Sequence, residues 1–137
     1  MNYEVKTQLS VILEDAPGKV ADLSDILAAH DVSLQALAIN DGPGSGRFRF
    51  TTSEPVAAKR SLETAGYVVA VEEVLSIRMR DSKGRLAFLA KALSSAGINI
   101  DYMYASVDEE GGGSRLILKV SNIHLASRVL DEILVAA

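Results

Sequence analysis

Asp15-Ala16-Pro17-Gly18-Lys19 and Asp81-Ser82-Lys83-Gly84-Arg85 stand 66 positions apart in a chain of 137 residues. Each follows an alternating run, Leu9-Ser10-Val11 before the first and Leu75-Ser76-Ile77 before the second. Each precedes an apolar stripe at helical spacing, Val20, Leu23 and Leu27 matched by Leu86, Leu89 and Leu93. Val32-Ser33-Leu34 then falls on Ile98-Asn99-Ile100. Identities are few, but apolar positions meet apolar positions in register, and this makes the chain a tandem repeat. After a two-residue insertion the match resumes, with Phe48 and Phe50 on Leu116 and Leu118, and Leu62 on Leu130.

The periodicity gives each repeat its elements. Val5, Thr7, Leu9, Val11 and Leu13 alternate along residues 5–13, and Leu75, Ile77 and Met79 along 75–79, as half-buried strands do. Period 3.6 follows in the two stripes. Pro17 is expected just inside the first helix, where its missing N–H costs nothing. Gly97 is expected at a left-handed helix end. Two strand pairs come next, 32–40 with 47–52 and 98–107 with 114–121, joined by glycine-rich turns. Second helices are expected from Pro55 and from Asn122, a natural N-cap. Tyr67-Val68-Val69-Ala70-Val71 reads as a fourth strand of repeat 1. Repeat 2 has no equivalent, so its fourth strand is expected to be absent or supplied by another segment.

The expected fold class is therefore α+β: two ferredoxin-like βαββαβ units, the second lacking its last strand, with antiparallel sheets and helices on one face. The units are expected at 1–72 and 73–137. Units this small are marginal alone, and no Gly-, Ser- or Pro-rich linker separates them, so a rigid pair is expected.

Composition narrows the function. The chain has no cysteine and two histidines, which excludes disulfides, thiol chemistry and cysteine-ligated metals. A net charge of −4 argues against a dedicated nucleic-acid binder. At 48% apolar the chain can build a core. The start has neither a basic segment nor an apolar one of signal-peptide type, and no apolar run is long enough to span a bilayer. A cytoplasmic protein without membrane attachment is expected.

An alternating strand, Asp-x-Pro-Gly-Lys, an amphipathic helix and then Val-Ser-Leu or Ile-Asn-Ile resembles the ACT domain, in two tandem copies over nearly the whole chain. The ACT domain is a small-molecule-binding regulatory module of enzymes in amino-acid metabolism. The resemblance implies units that pair side by side and bind ligands, commonly amino acids, where they meet. It implies contacts from the loop after the first strand and from the start of the second strand. These positions are Asp15, Ala16, Pro17, Gly18, Lys19 and Ser33 in repeat 1. In repeat 2 they are Asp81, Ser82, Gly84, Arg85, Asn99 and Ile100. Lys83 stands where the pattern has proline, and Ser33 stands where it often has asparagine.

The chemistry of such a site is plain. A free amino acid is a zwitterion whose carboxylate needs donors and whose ammonium needs acceptors. Unpaired amides and partial positive charge at a helix start suit the carboxylate, and glycine lets it approach the backbone. Asp15 or Asp81 suits the ammonium, and Asn99 serves either end. The competing reading makes both aspartates helix caps and both glycines loop formers.

Other residues fit plainer roles. His30 is expected at a helix end as a surface residue, and His124 has no carboxylate or serine partner in sequence. Gly42–Gly46 joins two strands and so lacks the helix start of a phosphate cradle. Gly111–Gly113 fills the same place in repeat 2, as a lid or as plain loop. Arg47, Arg49, Arg78, Arg80, Arg115 and Lys119 fall on strand positions away from the apolar stripe. They make either a solvated face balanced by Glu14, Glu72 and Glu73 or a docking surface for an acidic partner. Phe88, Tyr102 and Tyr104 are expected to line an interface or a pocket. The functional expectation is a homodimeric, amino-acid-binding regulatory protein acting on a metabolic enzyme in trans. It has no catalytic residues, no metal and no cofactor. A structural subunit without a ligand is the alternative.

Overall fold

The computed structural model describes residues 2–14, 16–40, 45–80, 83–107 and 113–135. Asp15, Asp81, Ser82 and most of both glycine-rich turns lie outside the described residues. The elements run β1 (Asn2–Glu14), α1 (Lys19–Ala29), β2 (Leu34–Asn40), β3 (Ser45–Thr52), α2 (Pro55–Thr64) and β4 (Val69–Arg80). There follow α3 (Arg85–Ser95), β5 (Ile100–Val107), β6 (Gly113–Val120) and α4 (Ile123–Val135). The repeat is kept to the residue: α1 and α3 begin 66 positions apart, and β3 and β6 begin 68 apart. Even the irregularities correspond, since the β2–β3 register shifts between Leu34 and Ala36 and the β5–β6 register between Ile100 and Tyr102.

The chain forms two compact units. The first is Thr7–Glu72, and the second takes in Met1–Lys6 with Glu73–Ala137. Strands 67–71 and 75–79 of the sequence reading are one continuous strand, β4, which contributes to both units, as does β1. In the first unit the strand order is β2-β3-β1-β4, and in the second it is β5-β6-β4-β1. The fourth strand that repeat 2 lacks is thus supplied by the segment Asn2–Lys6. The α+β ferredoxin-like architecture is that expected from the sequence.

Alternation explains which strand faces are buried. In the first unit Leu9, Val11 and Leu13 point to the helices, and Leu9 and Val11 stand opposite Phe50 and Phe48. The two phenylalanine rings meet edge-on, 5.7 Å between centroids. Leu23 and Leu27 of α1 and Ala58 and Leu62 of α2 close this core, and Tyr67 and Val69 pack against it. In the second unit Leu75, Ile77 and Met79 lie under Leu89, Leu93, Ala126 and Leu130, with Tyr3 packed alongside. Each fully buried leucine contributes roughly 1.5–3 kcal/mol of transfer free energy. The stripe is narrower than its spacing predicts, for Val20 and Leu86 are exposed in both units, as is Val5 on β1. Of the three aromatics singled out, Phe88 is exposed, and Tyr102 and Tyr104 are half-buried.

Helix ends follow local chemistry. Asn122 caps α4, its Oδ1 accepting from the Leu125 amide at 3.0 Å. Pro55 occupies the start of α2. After α3, Gly97 turns left-handed at φ 75°, and Asp31 does the same after α1 at φ 61°. His30 ends α1, exposed, with Nδ1 2.9 Å from the Ile26 carbonyl.

Candidate functional site

Both first helices start in the same way. Past β1 the Ala16 amide donates to the Glu14 carbonyl at 2.9 Å, and the Lys19 amide to the Ala16 carbonyl at 3.5 Å. Pro17 lies in this turn and not within the helix, as its spacing had suggested, because α1 begins at Lys19. Gly18 and Gly84 are the N-cap residues, left-handed at φ 86° and 82°. A Cβ on either would meet nothing within 4 Å, so the backbone angle and not crowding requires glycine there. Their carbonyls accept from Asp22 and Phe88, each at 2.9 Å. Glycine has no side chain with which to occupy the next amides. Among the described residues no side chain caps either helix start, where N–H groups and partial positive charge collect.

Beside the start of α1 lies a hollow of about 470 Å³. Glu14 and Lys19 supply its charged groups, and Ile12, Leu13, Ile26, Tyr67 and Val68 its apolar side chains. The Lys19 ammonium stands 3.7 Å from the Glu14 carboxylate, which is 81% exposed. An ion pair so open to water is worth less than about 1 kcal/mol and separates readily. The hollow thus pairs a cation and an anion with apolar walls, the three features a zwitterion with a side chain requires. Of the predicted residues Lys19 lines it, whereas Ala16, Pro17, Gly18 and Ser33 are exposed and do not. Glu14 and the Gly66–Val68 stretch were not among the predicted contacts. Glu14 ends an alternating strand and Gly66, at φ 95°, ends a helix, so neither bears a ligand signature in sequence.

In the second unit Gly84 and Asn99 are exposed, and Arg85 and Ile100 are half-buried. Asn99 is tied into the fold. Its amide donates to Ser121 Oγ and its carbonyl accepts from the Ser121 amide, both at 2.9 Å. Its Nδ2 donates to Asp101 Oδ1 at 2.9 Å, which leaves Oδ1 as the side chain's acceptor.

The face of the first unit away from the helices carries buried polar groups. Gln8 and Ser10 on β1 stand opposite Thr51 and Arg49 on β3. Arg49 reaches Asn40 Oδ1 at 3.1 Å. Ser10 Oγ and Thr51 Oγ1 are buried with no hydrogen-bond partner among the described residues. The described residues hold no group of three or more His, Cys, Asp or Glu placed to bind a metal. No described helix is long and apolar enough to cross a membrane.

A family model described as an ACT domain pair matches residues 4–135. Among solved structures, protein BT0572 from Bacteroides thetaiotaomicron is 29% identical, with a TM-score of 0.88 over 96% of this chain and 90% of that one. The regulatory subunit of aspartate kinase from Thermus flavus is 17% identical, with a TM-score of 0.72 over 95% and 92% of the two chains. The regulatory subunit of aspartate kinase from Thermus thermophilus, in ligand free form, gives 19% and 0.69 over 96% and 97%. At such identities these two kinase subunits share the fold. A comparison with curated proteins finds no match. The family match runs through both repeats, and the chain belongs to the ACT domain pair family.

Proposed function

We propose that this protein is an amino-acid-binding regulator that acts on a partner enzyme and carries out no chemistry of its own. The hollow beside α1 is the observation that supports this most directly. An amino-acid carboxylate fits the helix start and the Lys19 ammonium, its own ammonium fits Glu14, and its side chain fits the apolar wall. Asp15 completes the proposed contact set of the first unit, and the equivalent loop of the second unit, with Asp81, Ser82, Gly84, Arg85, Asn99 and Ile100, is proposed as a separate contact set. The fold shared with regulatory subunits of aspartate kinase supports action in trans on a metabolic enzyme. Binding regulates only if it favours one arrangement of the protein over another.

The partner-binding surface has support of its own. Leu37 and Ile39 on β2 are 48% and 50% exposed, and Met103 on β5 is 42% exposed. β2 and β5 are the outer strands of their units, paired among the described residues with β3 and β6. Exposed apolar side chains on open strand edges suit pairing with a second copy. A cytoplasmic homodimer is the assembly proposed.

A melting-temperature screen of the full chain against the twenty amino acids tests the reading. A ligand raises the midpoint as the logarithm of its concentration once above Kd. The response should weaken in Lys19→Met. No response to any amino acid would favour the alternative, an interaction subunit of the same fold that uses β2 and β5 without a ligand.

A further inference from the structure

The hollow beside α1 is sorted by chemistry along its length. Ile12 and Glu14 are alternate residues of β1 and share one face of the strand. Lys19 and Ile26 lie on one face of α1, two turns and about 10 Å apart along its axis. In each element the charged residue adjoins the turn that joins β1 to α1, and the isoleucine lies further from it. The contact of 3.7 Å between Lys19 and Glu14 brings the two charges to the same end. Tyr67 and Val68 add apolar surface from the segment ahead of β4. Tyr67 is held there by its ring, packed on the first core, and by its amide, which donates to the Leu62 carbonyl at 3.1 Å. Among the described residues of this lining, Glu14 and Lys19 alone are charged. The second repeat does not carry the same set. β1 pairs Glu14 with Ser45 as β4 pairs Arg80 with Gly113, so an arginine takes the place of the glutamate, and Ala92 takes that of Ile26.

We infer that the hollow selects an amino acid with a bulky apolar side chain, branched aliphatic or aromatic, and that one such molecule binds per chain. The inference rests on reading the protein as an amino-acid-binding regulator. The α-carboxylate and α-ammonium are common to all amino acids and are met at the charged end, so they give affinity without choice. Choice falls to the apolar surface that leads toward Ile26. The methyl group of alanine is too short to cover it. A leucine or phenylalanine side chain reaches along it and displaces water from Ile12, Ile26, Tyr67 and Val68. A side-chain carboxylate or ammonium would lose hydration against the same walls, with Glu14 and Lys19 already engaged by the head group.

Calorimetric titration of the full chain with L-leucine, L-phenylalanine, L-alanine, L-aspartate and L-lysine reads affinity and stoichiometry together. Leucine or phenylalanine is expected to bind tightest, at one molecule per chain and about tenfold or more tighter than alanine. Ile12→Thr and Val68→Thr alter the wall at side chains 47% and 72% exposed, so both variants should melt close to the parent without ligand. Each should narrow the affinity ratio of the tighter apolar ligand to alanine by about threefold, because the head-group contacts are untouched. Tightest binding of alanine, aspartate or lysine would overturn the inference and leave an amino-acid regulator standing. So would two leucine molecules per chain, or an unchanged ratio in both variants. Binding of none of the five would also overturn it, and the melting screen of all twenty amino acids then decides whether the wider reading falls as well.

Discussion

The Tyr3 hydroxyl donates to the Asp131 carboxylate across 128 residues of sequence. The Ser127 carbonyl lies 3.1 Å from the same hydroxyl. This contact fixes the borrowed strand of the second unit to its last helix, and the Tyr3 ring packs on the core formed by Leu75, Leu89 and Leu130. Tyr3→Phe keeps the ring and loses the hydroxyl. It should lower stability by about 1–2 kcal/mol, the range for a hydrogen bond to a charged group at a partly exposed site. Removing residues 2–6 should cost far more, because the second core then loses both a strand and its aromatic cover. Urea denaturation of the three proteins measures both effects.

The same contact has a pH signature. The hydrogen bond to Asp131, with burial and the carboxylate's charge behind it, raises the Tyr3 pKa above its ordinary 10.0. A phenol whose folded pKa is raised contributes stability that is complete below its unfolded value. That stability fades as the pH climbs through the folded value. The difference in stability between the parent and Tyr3→Phe should thus be constant below pH about 10 and shrink above it. A difference that stays unchanged at higher pH would show that the ionisation is not coupled to folding.

Asp31 and Gly97 end equivalent helices with the same left-handed turn, at φ 61° and 75°. For a residue with a Cβ that conformation costs roughly 1 kcal/mol, somewhat less for aspartate than for most. Asp31→Gly should therefore stabilise the first unit by up to about 1 kcal/mol, offset in part by the greater freedom of the unfolded chain. The denaturation midpoint is the measurement, and Gly97→Asp should move it the other way.

The paired helices and sheets were legible because each element repeats a local pattern twice. Gly18 and Gly84 signal a helix start, Asn122 a cap, and Leu23, Leu27, Leu89 and Leu93 the buried stripe. Partner choice over long range was not legible. Nothing in Asn2–Lys6 says that it completes the sheet of the second repeat, because alternation reports which face a side chain takes and not which strand lies beside it. Val20 and Leu86 have the right spacing for burial, yet stay 42% and 44% exposed, since burial also requires a surface opposite. The candidate site was half legible for the same reason. Lys19 follows a motif, whereas Tyr67 and Val68 reach the hollow through the tertiary fold.

Thr51 and Ser10 place buried hydroxyls on the helix-free face without a partner among the described residues. A buried hydroxyl without a hydrogen bond costs about 1–3 kcal/mol relative to an apolar group of similar shape. Thr51→Val replaces Oγ1 by a methyl and should raise stability by about 1 kcal/mol. A loss of stability instead would show that an ordered water satisfies the hydroxyl, and crystallography of the variant would reveal the water's displacement.

Gly18→Ala and Gly84→Ala separate folding from binding. Both glycines are left-handed, and at neither does a new Cβ meet an atom within 4 Å, so the cost arises from the backbone angle alone. Each substitution should destabilise the protein by about 1 kcal/mol, and by similar amounts. Their effects on ligand response should differ. The hollow of about 470 Å³ adjoins the helix that Gly18 opens, so Gly18→Ala should reduce the amino-acid-induced rise in melting temperature beyond its effect on folding. Gly84→Ala should leave that rise intact if the first unit alone binds, and reduce it equally if both loops serve as sites. Equal loss of stability with an unaltered ligand response in both variants would remove the helix starts from the binding site.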